Sequence, residues 1–241
     1  MRNTWKVWSG SDKDWNQIAS RLDNFNLYQS AEWSAHKHNS GWQHCRIFVS
    51  DSDSVIHSAA QCLYRKGPLG SVVVWIPGGP IGNLNYVDAN LVDALKNHFQ
   101  SRLVYVRSSM MCASTAAITN QLTTNGWFLA PMTVGATASL VYALDADENE
   151  RLDRCSSNWK RNLKRSSRNP HSAYVWDSPN AQEISDAYSY MDDFKKVKGV
   201  SLSRSVEEIQ SVIDTFGDQL LCVRIDDTDG SPLAIRAAIC I

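Results

Sequence analysis

The densest group of chemically capable side chains in this chain is basic. Lys160, Arg161, Lys164, Arg165 and Arg168 fall within one nine-residue span. At 3.6 residues per turn, Arg161, Lys164, Arg165 and Arg168 share one face of a helix. Like charges four apart repel, so this face is held at some cost to the helix. Phosphate relieves that repulsion, and the planar guanidinium fork matches a diphosphate or an RNA backbone. Two readings stay open, a solvated basic face and a tRNA- or phosphate-binding one. A second feature is Pro77-Gly78-Gly79-Pro80, directly after the apolar run Ser71 to Ile76. Its prolines stiffen the turn and its glycines leave the backbone open. It is either a bare turn or the floor of a substrate groove. No Gly-Lys-Ser/Thr follows it, so it is not a phosphate-cradling P-loop.

Other chemistries are poorly supplied. No serine sits in a G-x-S-x-G elbow, and neither C-x-x-C nor H-E-x-x-H occurs. Histidines 36, 38, 44, 57, 98 and 171 have no metal-ligand spacing, so no metal site is expected. No catalytic residue is assigned. Cys45, Cys62, Cys112, Cys155, Cys222 and Cys240 are scattered, mostly among apolar neighbours. They read as buried free thiols of a reducing compartment. The net charge is −1, so any phosphate affinity must come from a local patch. Met1 to Lys6 lacks an apolar signal segment, and no run approaches the ~18 apolar residues of a membrane span. The protein is expected to be cytoplasmic, with no membrane span.

The elements that must position these residues alternate. Strands are predicted at Thr4 to Trp8, Trp42 to Val49, Val55 to Tyr64, Ser71 to Ile76 and Leu103 to Val106. Further strands are predicted from Gly126 to Leu129 and from Ala138 to Leu144. The turn Asp51-Ser52-Asp53-Ser54 makes the second and third strands a hairpin. Helices are predicted from a cap at Ser11 or Asp12 to Leu22, from Ser30 to Lys37, from Val87 to Phe99 and near Ala113 to Thr123. After Asp145 come a polar helix (Asp147 to Ser156), the basic helix (Trp159 to Arg168) and a strand at Ala173 to Trp176. A long helix (Asn180 to Lys196) and a helix from Ser205 to Phe216 follow, the latter opened by a capping box. Two strands, Leu220 to Ile225 and Leu233 to Ile241, close the chain. This is an α/β (α+β) pattern with mixed sheets. The domain boundary is placed near Asp145, giving domains 1–145 and 146–241. The last segment leaves two strands and two helices thinly covered, so the second domain reads as truncated.

Several segments, in order along nearly the whole chain, resemble the FemAB-like aminoacyltransferases that build peptidoglycan cross-bridges. They are Tyr28-Gln29-Ser30-Ala31-Glu32-Trp33 followed by Lys37, Val74-Trp75-Ile76-Pro77-Gly78-Gly79-Pro80-Ile81, and Val104-Tyr105-Val106-Arg107. Thr137 to Leu144 with Asn158 to Arg168, and Lys198-Gly199-Val200 leading to Arg204, complete the set. The final hairpin resembles the opening of a second GNAT-like domain, an arrangement shared with BioF2-like acetyltransferase domains. The resemblance implies tandem GNAT-like domains, the second incomplete, and substrate contacts at Trp33, Lys37, Gly79, Pro80, Tyr105, Arg107, Ser109 and Arg204. Lys37 and Arg204 would hold the diphosphate of a nucleotide- or lipid-linked cell-wall precursor. The chain departs from the family's arginine-x-aspartate-proline at Arg107-Ser108-Ser109-Met110. An aminoacyl-tRNA or an acyl-CoA is the implied co-substrate, with no tightly bound cofactor. Three functions stay open: tRNA-dependent aminoacyl transfer to a peptidoglycan precursor, acyl-CoA-dependent N- or O-acyl transfer in surface-polysaccharide synthesis, and a non-catalytic module binding RNA or an anionic precursor.

Overall fold

The computed structural model describes residues 4–131, 147–168, 170–196 and 205–240. The chain divides into two compact units. Residues 1–132 with 214–219 make the first, and residues 133–213 with 220–240 make the second. The predicted boundary at Asp145 and the predicted strand from Ala138 to Leu144 lie outside the described residues.

The first unit is built on a mixed sheet. Its strands are β1 (Trp5–Val7), β2 (Gln43–Ser50), β3 (Ile56–Lys66), β4 (Val72–Gly78), the short β5 (Ile81–Gly82) and β6 (Val104–Met110). The order is β1-β2-β3-β4-β6, with β5 paired to β3. The β4–β6 pair is parallel, and the other pairs are antiparallel.

Alternation sends the two sides of each strand to different partners. Ile47, Cys62, Val74 and Ile76 face α3 (Ala89–Phe99), whose Leu91 and Leu95 are fully buried against them. Ala59 and Phe48, on the other side, pack with Trp15 and Ala19 of α1 (Asp12–Ala19) and Ala31 of α2 (Ala31–His38). Ser11 caps α1 and Ser30 caps α2, each accepting a backbone N–H. The first helix ends at Ala19 rather than Leu22, because Arg21 and Leu22 close reverse turns onto Ile18 and Ala19.

The predicted strand from Gly126 to Leu129 does not form. After α4 (Ala116–Thr124), Gly126 turns the chain at φ +87°, and the Trp127 N–H bonds back to the Leu122 carbonyl. Trp127 then packs into the core while Phe128 and Leu129 stand 89% and 93% exposed. An apolar triplet of this kind reads as a strand until its three side chains are seen to part.

The second unit carries α5 (Glu148–Asp153), α6 (Ser157–Ser166), β7 (His171–Val175), α7 (Ala181–Lys196), α8 (Val206–Phe216) as far as residue 213, β8 (Leu220–Asp227) and β9 (Pro232–Ile239). β7, β8 and β9 form an antiparallel sheet, in which the strand predicted at Ala173 to Trp176 joins the terminal hairpin. Ala181 and Ile184 pack with Ile209 and Cys222, and Ala187 and Met191 pack with Ile235.

All six cysteines are free. Cys45, Cys62 and Cys222 are buried as expected, whereas Cys112 and Cys155 are half-buried and Cys240 is exposed. Burial pushes the Cys62 thiol well above its ordinary pKa. Brief iodoacetamide treatment of the native chain should therefore label Cys240 and spare Cys45 and Cys62, as peptide mass spectrometry would read.

Candidate functional site

The predicted contact residues of the first unit gather on one face of its sheet. Leu63 on β3 registers with Trp75 on β4, and Trp75 registers with Arg107 on β6. Val73 registers with Tyr105, and Pro77 with Ser109. Registered residues share a face, and this is the face on which Ala59 meets α1 and α2. Tyr105, Arg107 and Ser109 therefore stand on the same side of the sheet as Trp33 and Lys37 of α2. The Lys37 ammonium lies 4.8 Å from the centre of the Trp33 ring, and Tyr28 meets that ring edge-on at 4.8 Å. Trp42, just beyond α2, packs against Trp75 at 5.9 Å, and the Arg65 guanidinium lies 4.5 Å over Trp42. The face thus carries Lys37, Arg65 and Arg107 interleaved with aromatic rings, beside the buried Arg46 that registers with Gln61.

Gly79 and Pro80 lie at the carboxyl end of β4, beside the carboxyl end of its parallel neighbour β6. Ligands of open α/β sheets settle at such ends. The Gly79–Pro80 peptide is cis. Three successive carbonyls of the turn are held by side chains. Pro77 accepts from the Gln29 amide at 2.6 Å, Gly78 from Asn26 at 2.8 Å, and Gly79 from the Ser108 hydroxyl. The glycines are required by this packing. A Cβ on Gly79 would stand 2.7 Å from the Gln29 amide, and one on Gly78, already at φ +67°, 2.1 Å from Asn26. So Pro77 to Pro80 is a clamped turn, and its rigidity comes from residues some fifty positions away.

Sequence reading places Gln29 in the Tyr28 to Trp33 motif and Ser108 beside Arg107, but gives neither a clamping role and passes over Asn26 and Gln61. Gln29 and Gln61 are completely buried. The Gln29 side-chain Oε1 accepts from the Gln61 backbone N–H at 2.7 Å, and the Gln61 side chain in turn donates to the Ser30 carbonyl and accepts from Arg46 Nε at 3.0 Å. Arg46 reaches Asp12 at 2.6 Å. The signal was present as three uncharged or paired polar residues inside apolar strand and helix patterns, a pattern that turn and motif reading passes over.

Arg204, Lys198 and Thr137 lie outside the described residues. In the second unit, α6 carries Lys160, Arg161, Lys164 and Arg165, with Arg161, Lys164 and Arg165 on one face as predicted. Arg168 does not join them, since Ser167 caps the helix and Arg168 follows it. Lys160 is tied to Asp153 at 3.2 Å, and Arg161 to the Asn158 side chain at 3.1 Å. Trp159 and Leu163 line the other side of α6, 52% and 40% exposed. A separate polar group sits on β7 and β8. Asp226 accepts from Tyr174 at 2.8 Å and from Arg224 Nε at 2.6 Å, and Arg224 lies 4.9 Å over Trp176. The bond to Asp226 raises the Tyr174 pKa above the ordinary phenol value. Among the described residues, no three His, Cys, Asp or Glu side chains gather as metal ligands, and no helix is long and apolar enough to cross a membrane.

Gly79→Ala should lower stability by about 1–3 kcal/mol through overpacking against Gln29. Combining it with Gln29→Ala, which empties that space, should cost less than the sum of the two single changes. Urea denaturation of the three variants measures the coupling.

No family model matches the chain, and no curated protein matches it by sequence. Among solved structures, the crystal structure of FemX superposes with a TM-score of 0.73 at 14% identity. The match covers 92% of this chain and 58% of the FemX chain. A probable acetyltransferase covers 59% of this chain and all of its own at 10% identity, but with a TM-score of only 0.34. The chain accordingly shares the mixed α/β, GNAT-like fold of FemX over nearly all of its length.

Proposed function

We propose that this chain is part of an acyltransferase that joins a pre-activated acyl group to an amine of a cell-wall precursor. The FemX-like fold and the FemAB-like motifs support that class. The observation that carries the site is the single sheet face holding Lys37, Arg65, Arg107 and a clamped Gly79–Pro80 turn. Cations interleaved with aromatic rings suit a diphosphate joined to a ring system. Lys37 and Arg107 are the residues proposed to hold the diphosphate of a nucleotide- or lipid-linked precursor. Trp33, Tyr105 and Ser109 line the same face.

The chemistry needs no protein nucleophile. The acceptor amine, deprotonated, attacks the carbonyl of an ester or thioester. The tetrahedral oxyanion collapses and expels the ribose hydroxyl of a tRNA or the thiolate of a coenzyme A. The proton lost by the amine is relayed to the departing oxygen or sulfur, giving a ribose hydroxyl or a thiol. The protein must bring the two reactants into near-attack geometry, accept that proton and stabilise the oxyanion. The side chains proposed here bind and orient.

An aminoacyl-tRNA is the proposed donor, and the cationic face of α6 supports it. Self-repelling cations on an exposed helix are released from repulsion by a phosphate backbone.

Two measurements test this reading. Charged tRNA and acetyl-CoA, offered side by side to the complete protein with a diphosphate-linked muropeptide, should give transfer from the tRNA alone. Transfer from acetyl-CoA alone overturns the tRNA donor, and transfer from neither overturns the acyltransferase. Arg161→Ala with Arg165→Ala should lower the salt slope of tRNA binding by about 2, one for each phosphate that is no longer neutralised. An unchanged slope removes α6 from the interface.

A further inference from the structure

The amino-terminal ends of β4 and β6 lie about 20 Å along the strands from the Gly79–Pro80 turn, at about 3.3 Å per residue. They carry an apolar surface of which only Tyr105 belongs to a motif. Leu69 sits at the tip of the turn between β3 and β4 and is 94% exposed. Its φ of +56° is the left-handed conformation that a branched side chain avoids. The turn is nonetheless tightly built. The Gly67 N–H bonds to the Ser71 carbonyl at 2.8 Å, the Ser71 hydroxyl to Pro68 at 2.8 Å, and the Ser101 hydroxyl to Gly70 at 2.6 Å. A leucine is thus held outward, in a strained conformation, by a rigid frame.

Its neighbours continue the surface. The Val72 N–H bonds to the Leu103 carbonyl, and Val73 registers with Tyr105. Leu103, Tyr105 and Val73 are 59%, 58% and 44% exposed. Three cations are their neighbours along the chain or across the strands. Arg65 and Lys66 register with Val73 and Val72, and Arg102 precedes Leu103. Residues 54–87 and 94–144 contain no Asp or Glu, although the whole chain has one more acidic than basic residue. Those stretches include all of β3, β4 and β6, so Arg65, Lys66 and Arg102 meet no acidic residue on these strands.

We propose that this end of the first unit docks on an anionic lipid surface. Leu69 and Leu103 enter the boundary between headgroups and acyl chains, and Arg65, Lys66 and Arg102 meet the headgroup phosphates. Exposed apolar side chains bind water-lipid boundaries in proportion to the area they bury, and basic neighbours add attraction to anionic headgroups. A nucleic acid would use the cations but gain nothing from Leu69. Docking here presents the face carrying Tyr105 and Arg107 from its membrane-proximal end. The inference does not depend on acyl transfer and can stand or fall separately.

The test is co-sedimentation of the whole chain with vesicles of phosphatidylcholine containing about 30% phosphatidylglycerol. The chain should sediment with these vesicles, far less with phosphatidylcholine alone, and less as salt rises to about 0.5 M. Leu69→Asp with Leu103→Asp should weaken vesicle binding about tenfold or more. Leu69→Gly separates docking from folding. It relieves the left-handed strain, so its melting temperature should rise while its vesicle binding falls. Vesicle binding undiminished in Leu69→Gly and in the double variant overturns the proposal. So does failure of the unmodified chain to sediment, or tRNA binding that weakens with Leu69→Asp as much as vesicle binding does.

Discussion

A pair of buried amides holds the first unit together. Gln29 precedes α2, Gln61 lies in the middle of β3, and neither reaches solvent. A buried amide without partners is costly, so each must be satisfied within the fold. Gln61 does so by bonding the chain at Ser30 and the Arg46 side chain, and Gln29 by bonding the Gln61 N–H and the Pro77 carbonyl. Four segments from distant parts of the sequence meet in these few bonds. Shifting any of them leaves a buried donor or acceptor unpaired, at about 1–3 kcal/mol for each group. Register, helix placement and turn geometry are thereby fixed together.

This arrangement lets one sheet serve two purposes. Its α3 side is a dry core of aliphatic side chains, with Ile47, Val74, Ile76, Leu91 and Leu95 all fully buried. The opposite side is divided. Under α1 and α2 it is packed with Trp15, Ala31 and Ala59, and beyond α2 it carries Trp42, Trp75, Tyr105 and Arg107. A packed half makes the other half rigid, and a rigid half-sheet can present cations and rings at fixed spacing. Pre-set positions reduce the ordering cost of holding a charged, flexible substrate.

The second unit shows the same economy in smaller form. Cys222 lies in the core beneath α7 and α8. Further along β8, Asp226 ties Tyr174 to Arg224, and Arg224 covers Trp176. A carboxylate that accepts from both a phenol and a guanidinium is satisfied on both oxygens, so this network closes one end of the sheet without an unpaired charge. The basic helix α6 is different, because its cations point outward and repel one another.

Much of this was legible in the residues. The hairpin of β2 and β3, the buried run of β4, the α3 stripe of Leu91, Leu95 and Phe99, and the cationic face of α6 all follow from periodicity and capping, which are local properties. The FemAB-like motifs also led correctly to the GNAT-like fold. The Trp127 to Leu129 triplet misled because an apolar run states how much wants burial, not where the core lies. The clamp on the Pro77 to Pro80 turn was invisible for a related reason. Nothing local distinguishes a glutamine bound for the interior from one bound for water. By itself, then, the sequence determined which segments fold and which carry charge. Only tertiary structure decided that Lys37, Trp75 and Arg107 share a face, and that Gln29 reaches Pro77. Strand order and register bring together residues far apart in the chain, and those are properties of the whole sheet.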